Sequence, residues 1–142
     1  MQVVVNGLLT NYSRTGKGTQ IVIVHGWGDS SAAWRDFAAA FSKDYEVIVP
    51  DLPGFGGTQT PPEAWGLDDY AAFVAAWIEK LKLRPSVIIG HSIGGAIAVR
   101  ALGKGELQAD KLVLLASAGI RGEYNGRNKA LRIITKTGKA LS

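Results

Sequence analysis

Gly90-His91-Ser92-Ile93-Gly94 sets a serine between two glycines, after the apolar run Val87-Ile88-Ile89 and before Ala96-Ile97-Ala98-Val99-Arg100, a stretch that suits a helix. This is the G-x-S-x-G pattern of a nucleophile elbow, in which a strand turns abruptly into a helix and the serine at the bend takes a strained backbone conformation. Side chains two residues to either side would collide at such a bend, and glycine at 90 and 94 removes the collision. The chemistry on offer is nucleophilic attack by the Ser92 hydroxyl, with the start of the next helix aiming backbone N–H groups at the oxyanion that forms. Alone, the pattern also fits an ordinary strand-to-helix turn, so its surroundings decide.

Two more loops have unusual content and also follow apolar runs. His25-Gly26-Trp27-Gly28 comes after Ile21-Val22-Ile23-Val24, and its glycines allow backbone N–H groups to point inward at a substrate oxygen. Pro50-Asp51-Leu52-Pro53-Gly54-Phe55-Gly56-Gly57-Thr58 comes after Val47-Ile48-Val49. It lacks the Gly-Lys-Ser/Thr ending of a P-loop and the G-x-G-x-x-G spacing, so nucleotide binding is not expected. The two histidines are read as structural. His91 adjoins Ser92, but neighbours at a turn point apart, and one of the two could hold loop backbone in shape by hydrogen bonding.

These loops need elements to carry them. Gln2 to Val5 and Leu8 to Tyr12 flank Asn6-Gly7, a pair suited to a type I′ turn, which predicts an amino-terminal β-hairpin. The three runs above and Leu112-Val113-Leu114-Leu115 lack polar alternation, as expected of strands buried on both faces of a parallel sheet. A first helix is expected after Ser30 or Ser31, with Trp34, Phe37 and Phe41 on one stripe. A second repeats Tyr70, Phe73, Val74, Trp77, Ile78 and Leu81 at helical spacing behind Asp68 and Asp69. These aromatics are read as core. The third helix begins at Ser92, where Gly95, Ala96 and Ala98 permit close approach to the sheet. Strands alternating with helices give an α/β fold, a mostly parallel sheet flanked by helices. Ligands of such sheets bind beyond the carboxyl ends of the strands, where all three loops emerge.

Composition narrows the function classes. The chain has 142 residues, 46% hydrophobic and 20% charged, enough for one core. With no cysteine, a disulfide framework or thiolate metal site is impossible, and no metal or organic cofactor is implied. The start lacks a signal-peptide pattern and no apolar run approaches the roughly 18 residues of a transmembrane helix, so a cytoplasmic location is expected. The net charge of +4 is concentrated, since residues 121–142 hold six Lys or Arg against one Glu, while the rest holds ten basic against eleven acidic residues. No basic, aromatic-studded groove follows from that distribution, and nucleic acid is rejected as a partner.

Together the H-G-W-G loop, the D-L-P-G-F-G-G-T loop and the G-H-S-I-G-G elbow resemble the α/β-hydrolase fold superfamily over about residues 1–120, in particular its lid-bearing serine hydrolases. That group includes carboxylesterases, haloperoxidase-like enzymes and carbon–carbon bond hydrolases of aromatic degradation. Ser92 sits where the family's dehalogenases and epoxide hydrolases generally place an aspartate, so acyl chemistry on a small-molecule substrate is implied. By the family pattern Ser92 is the nucleophile, and the backbone N–H groups of Trp27 and Ile93 form the oxyanion hole. The Trp27 side chain either lines the acyl pocket or packs as structure.

One departure from the pattern is decisive. The family order is Ser, then Asp or Glu, then His, yet no histidine follows Ser92, and Glu106 and Asp110 precede the last strand, at the wrong end of the sheet. Residues 121–142, with Ala130, Leu131, Ile133, Ile134 and Leu141 among five basic residues from Arg127 to Lys139, read as a basic amphipathic helix. The expectation is an amino-terminal hydrolase core, residues 1–120, followed by the start of a lid at 121–142. A surface helix on anionic lipid is the rival reading of that segment. On this reading the chain is a truncated or split half, weak or inactive alone. The alternatives are a non-catalytic binding module or a carbon–carbon bond hydrolase or haloperoxidase-like member of the same fold, and the edge at Leu112 to Leu115 would invite self-association or a complementary carboxyl-terminal half.

Overall fold

The structure is a computed structural model that describes residues 1–118, so the expected lid segment lies outside the described residues. Strands β1 (Gln2–Val5) and β2 (Leu8–Gly16) form the expected hairpin. Its turn residues Asn6 and Gly7 have φ of +47° and +81°, the positive pair that a type I′ turn demands. β2 runs four residues past the Tyr12 limit read from the sequence. Its far half pairs antiparallel with β4 (Tyr45–Pro50), where Arg14 meets Glu46 at 2.6 Å across the diagonal of the register.

Strands β3 (Thr19–Val24), β5 (Val87–His91) and β6 (Lys111–Leu115) complete a six-stranded sheet in the order β1-β2-β4-β3-β5-β6. The β4, β3, β5 and β6 segments are parallel, as the unbroken apolar runs imply, and the hairpin makes the sheet mixed. Alternate residues of β3, β4 and β5 serve opposite faces. Val22, Val24, Ile48 and Ile88 join one core with Phe73, Val74 and Trp77 of helix α2 (Leu67–Lys80) and Ile97 and Ala98 of helix α3 (Ile93–Gly103). Ile21, Ile23, Val47, Val49 and Ile89 join the other, with Ala38 of helix α1 (Arg35–Phe41) and with Trp34 and Phe37 packed against it.

Two expectations are corrected. The first helix is preceded by a 3-10 turn over Ser31–Trp34, entered where the Ser31 N–H donates to the Asp51 carboxylate. β6 is not buried on both faces: Lys111, Val113 and Leu115 are exposed, while Leu112 reaches the core under α2 and α3. The reason is position, since β6 is an edge strand among the described residues and α1 packs over β2 and β4 instead. No described helix is long and apolar enough to cross a membrane.

Candidate active site

Ser92 stands between β5 and α3 with φ +53° and ψ −121°, a conformation that L-residues avoid unless their surroundings enforce it. Two sources of enforcement are visible. Its N–H donates to the Leu115 carbonyl at 3.0 Å, and its carbonyl accepts from the Ala118 N–H at 2.9 Å, so the end of β6 clamps both sides of the serine. Its glycines are sterically obligatory. A Cβ on Gly94 would lie 2.1 Å from the Val24 carbonyl oxygen, and one on Gly90 would lie 2.5 Å from the Gly95 Cα. Each is well inside van der Waals contact, which is the collision argument made concrete.

The loop after β3 comes directly against this elbow. A Cβ on Gly26 would meet the Ser92 Cβ and the His91 Nδ1, each at 3.1 Å, so glycine at 26 is what lets this loop lie against the serine. Gly26 to Asp29 form a tight turn, with the Asp29 N–H on the Gly26 carbonyl and Gly28 at φ +74°. Among the described residues, neither the Trp27 N–H nor the Ile93 N–H has an acceptor. The Ile93 group is open because it starts a helix, where the first amides lack intrahelical partners. The Trp27 side chain is 71% exposed and rests edge-on against Phe55, with ring centroids 4.8 Å apart.

The histidines separate as well. His25 is fully buried; its Nε2 accepts from the Leu52 N–H at 2.9 Å, and its Nδ1 lies 2.8 Å from the Gly26 carbonyl oxygen. Burial pushes its pKa below the ordinary imidazole value, an effect the Gly26 hydrogen bond only partly opposes. Its two bonds tie the Trp27 loop to the Leu52 loop, which is the loop-holding role expected of one histidine. His91 is half-buried, with its ring edge-on to Trp34, and its Nδ1 has no hydrogen-bond partner among the described residues.

Asp51 is a site-supporting residue whose role sequence reasoning missed. It is 2% exposed and accepts from the Ser31 N–H at 2.6 Å and from the Asn11 Nδ2 and Gly57 N–H at 2.8 Å each. Burial raises its pKa, but these bonds outweigh it and hold the carboxyl below the usual range. The glycines of the loop now have a reason: a Cβ on Gly56, at φ +51°, would overlap the Asp51 carboxylate. The signal was present as Asp51 followed five and six residues later by glycines. Its partners Asn11 and Ser31 are invisible without the fold.

A concavity of about 840 Å³ is lined by Ser86 and Asp110 at the amino-terminal ends of β5 and β6, the far end from Ser92. Among the described residues, no three His, Cys, Asp or Glu side chains gather as metal ligands would.

Comparison with known proteins matches residues 19–134 to the alpha/beta hydrolase fold family. The chain is 31% identical over 125 residues to a 2-hydroxy-6-oxo-2,4-heptadienoate hydrolase of Pseudomonas putida, covering 85% of this chain and 45% of that protein. Among solved structures it is similar to a meta-cleavage product hydrolase from Pseudomonas fluorescens, with TM-score 0.79 and 30% identity over 89% of this chain and 48% of that one. A bacterial membrane phospholipase A aligns with TM-score 0.81 and 27% identity, over 88% of this chain and 41% of that one. The chain thus spans less than half the length of each of these relatives.

Proposed function

The chain belongs to the alpha/beta hydrolase fold family, and we propose from that premise that it carries the nucleophile and oxyanion hole of a serine hydrolase acting on ester or related acyl bonds. The observation that carries this is Ser92 itself, held at φ +53° by bonds from β6 and flanked by two glycines that admit no side chain. Strain of this kind costs free energy and persists where it aims a side chain.

In the proposed reaction the Ser92 Oγ attacks the substrate carbonyl carbon and gives up its proton to a general base. The resulting oxyanion accepts hydrogen bonds from the Trp27 and Ile93 N–H groups, each worth roughly 3 kcal/mol in the transition state. Collapse expels the leaving group, which takes a proton, and water then hydrolyses the acyl-enzyme. Neither His25 nor His91 serves as that base. His25 has both nitrogens engaged, and both residues precede Ser92, against the family order. On this reading a complementary carboxyl-terminal half would supply the base and its acid partner.

A second reading has its own support. The likeness to the heptadienoate hydrolase and the meta-cleavage product hydrolase favours a carbon–carbon bond next to a carbonyl as the scissile bond.

An alkyl fluorophosphonate tests the shared part of both readings. With the complementary half bound to supply the base, one phosphonyl addition by intact mass, located at Ser92 and lost in Ser92→Ala, is expected. A folded complex with the complementary half that takes up no label under conditions where a known serine esterase labels fully would favour the non-catalytic binding module. Restoring activity with a complementary half, and assaying p-nitrophenyl esters against a dienoate ketone, separates the acyl from the carbon–carbon reading.

A further inference from the structure

We infer that His25 is a positioning residue that aims the oxyanion hole by clamping the Gly26–Trp27 peptide group; this rests on the reading of the Trp27 N–H as an oxyanion donor. The tautomer follows from the partners. Leu52 offers an N–H to His25 Nε2, so Nε2 is the bare nitrogen and Nδ1 carries the proton, which it donates to the Gly26 carbonyl oxygen at 2.8 Å. That carbonyl and the Trp27 N–H are two ends of one peptide plane. The chain has no cis peptide bond among the described residues, so the N–H lies antiparallel to the carbonyl. Holding the oxygen therefore fixes the direction of the hydrogen.

The loop needs such a clamp because of what close approach demands elsewhere. Gly26 must lack a side chain to let the loop sit against Ser92, and Gly28 supplies the positive φ of the turn. A peptide bracketed by a glycine on one side and a short turn on the other has little steric resistance to flipping. The Asp29 N–H also reaches the Gly26 oxygen, at 3.2 Å, but it belongs to the same turn and would move with it. His25 is anchored outside the turn. It is fully buried, it is bonded to Leu52, and Phe55 packs edge-on against its ring. Phe55 touches Trp27 as well, so the same two loops locate both the amide and the indole.

The tautomer is testable in the unaltered protein. A long-range ¹H–¹⁵N spectrum is expected to show His25 protonated at Nδ1 and bare at Nε2, and the opposite tautomer would overturn the inference. The variants then test the clamp. Asparagine places an amide nitrogen where Nδ1 stood, whereas glutamine reaches only the Nε2 position, so His25→Asn should keep the clamp and His25→Gln should lose it. In His25→Gln the Trp27 amide resonance should shift or split, and fluorophosphonate labelling of Ser92 with the complementary half bound should slow by about tenfold or more, approaching the ~10²- to 10³-fold cost of losing a donor outright. His25→Asn should restore both. Equal loss in both variants with the fold retained would make His25 merely structural and overturn the inference, as would an unchanged Trp27 amide in His25→Gln. An amide that responds as expected in a chain whose Ser92 never labels, even with the complementary half bound, would sustain the clamp and sink the serine hydrolase reading.

Discussion

Gly94 and Gly103 end the same helix, yet a methyl group added to each should act in opposite directions. At Gly94 it would press to 2.1 Å from the Val24 carbonyl oxygen, and Gly94→Ala is expected to cost about 2 kcal/mol or more, as overpacking does. At Gly103 it would meet nothing within 4 Å, so Gly103→Ala should stabilise by about 0.5–1 kcal/mol through the unfolded chain's lost freedom. Urea unfolding measures both, and equal effects would sink the steric account of the elbow. His25 gives a second prediction at this scale. Its folded pKa lies below the unfolded value of 6.5, so the unfolded chain takes up the proton first. The neutral ring's contribution is whole above pH 6.5 and is lost as pH falls towards the folded pKa, at about 1.4 kcal/mol per pH unit for one proton. His25→Asn should flatten that slope in unfolding curves taken between pH 7 and 5; an unchanged slope would assign it to another group.

Asp51 shows how a single carboxylate organises an element, in this case the loop from Asp51 to Thr58. It receives three donors from Ser31, Asn11 and Gly57, and Thr58 closes the loop by donating to the Asp51 carbonyl at 2.7 Å. Asp51→Asn would turn an amide NH₂ on one of those donors, at an expected cost of about 2–4 kcal/mol for a buried, charge-assisted network. The sign with pH follows from its lowered pKa. The ionised form's contribution is present above the unfolded value of 3.8 and disappears as pH falls through the folded pKa, so the gap between parent and Asp51→Asn should close in acid. A gap independent of pH would mean that the charge is irrelevant. Elements differ in how far the sequence reveals them. Helix α2 was legible because Phe73, Val74, Trp77 and Ile78 repeat at helical spacing and bury one face. The elbow was legible because its glycines and its apolar strand are adjacent in the chain. The far half of β2 was not, because Ser13, Arg14 and Thr15 carry no apolar alternation and earn their strand only by pairing with β4, more than thirty residues away. Asp51 was obscured for the same reason: loop composition announces that a loop is special, but long-range partners say why.

On the scale of the molecule, Ser92 is held by a strand that is half exposed among the described residues. β6 pairs only with β5 among the described residues, and Val113 and Leu115 are each 40% exposed, yet Leu115 and Ala118 make the two bonds that bracket Ser92. An edge with open backbone groups and exposed apolar side chains is a template for further pairing. Whatever pairs there also steadies the elbow, so the integrity of the site and the occupancy of the edge are coupled. The chain on its own is therefore expected to self-associate through β6, with a mass in sedimentation that rises with concentration. Val113→Lys with Leu115→Lys should abolish the rise at little cost in stability, because both side chains already face solvent and charge on an edge opposes pairing. A parent chain that stays monomeric at every concentration would remove the edge as a docking surface, and a double variant that still associates would place the contact elsewhere.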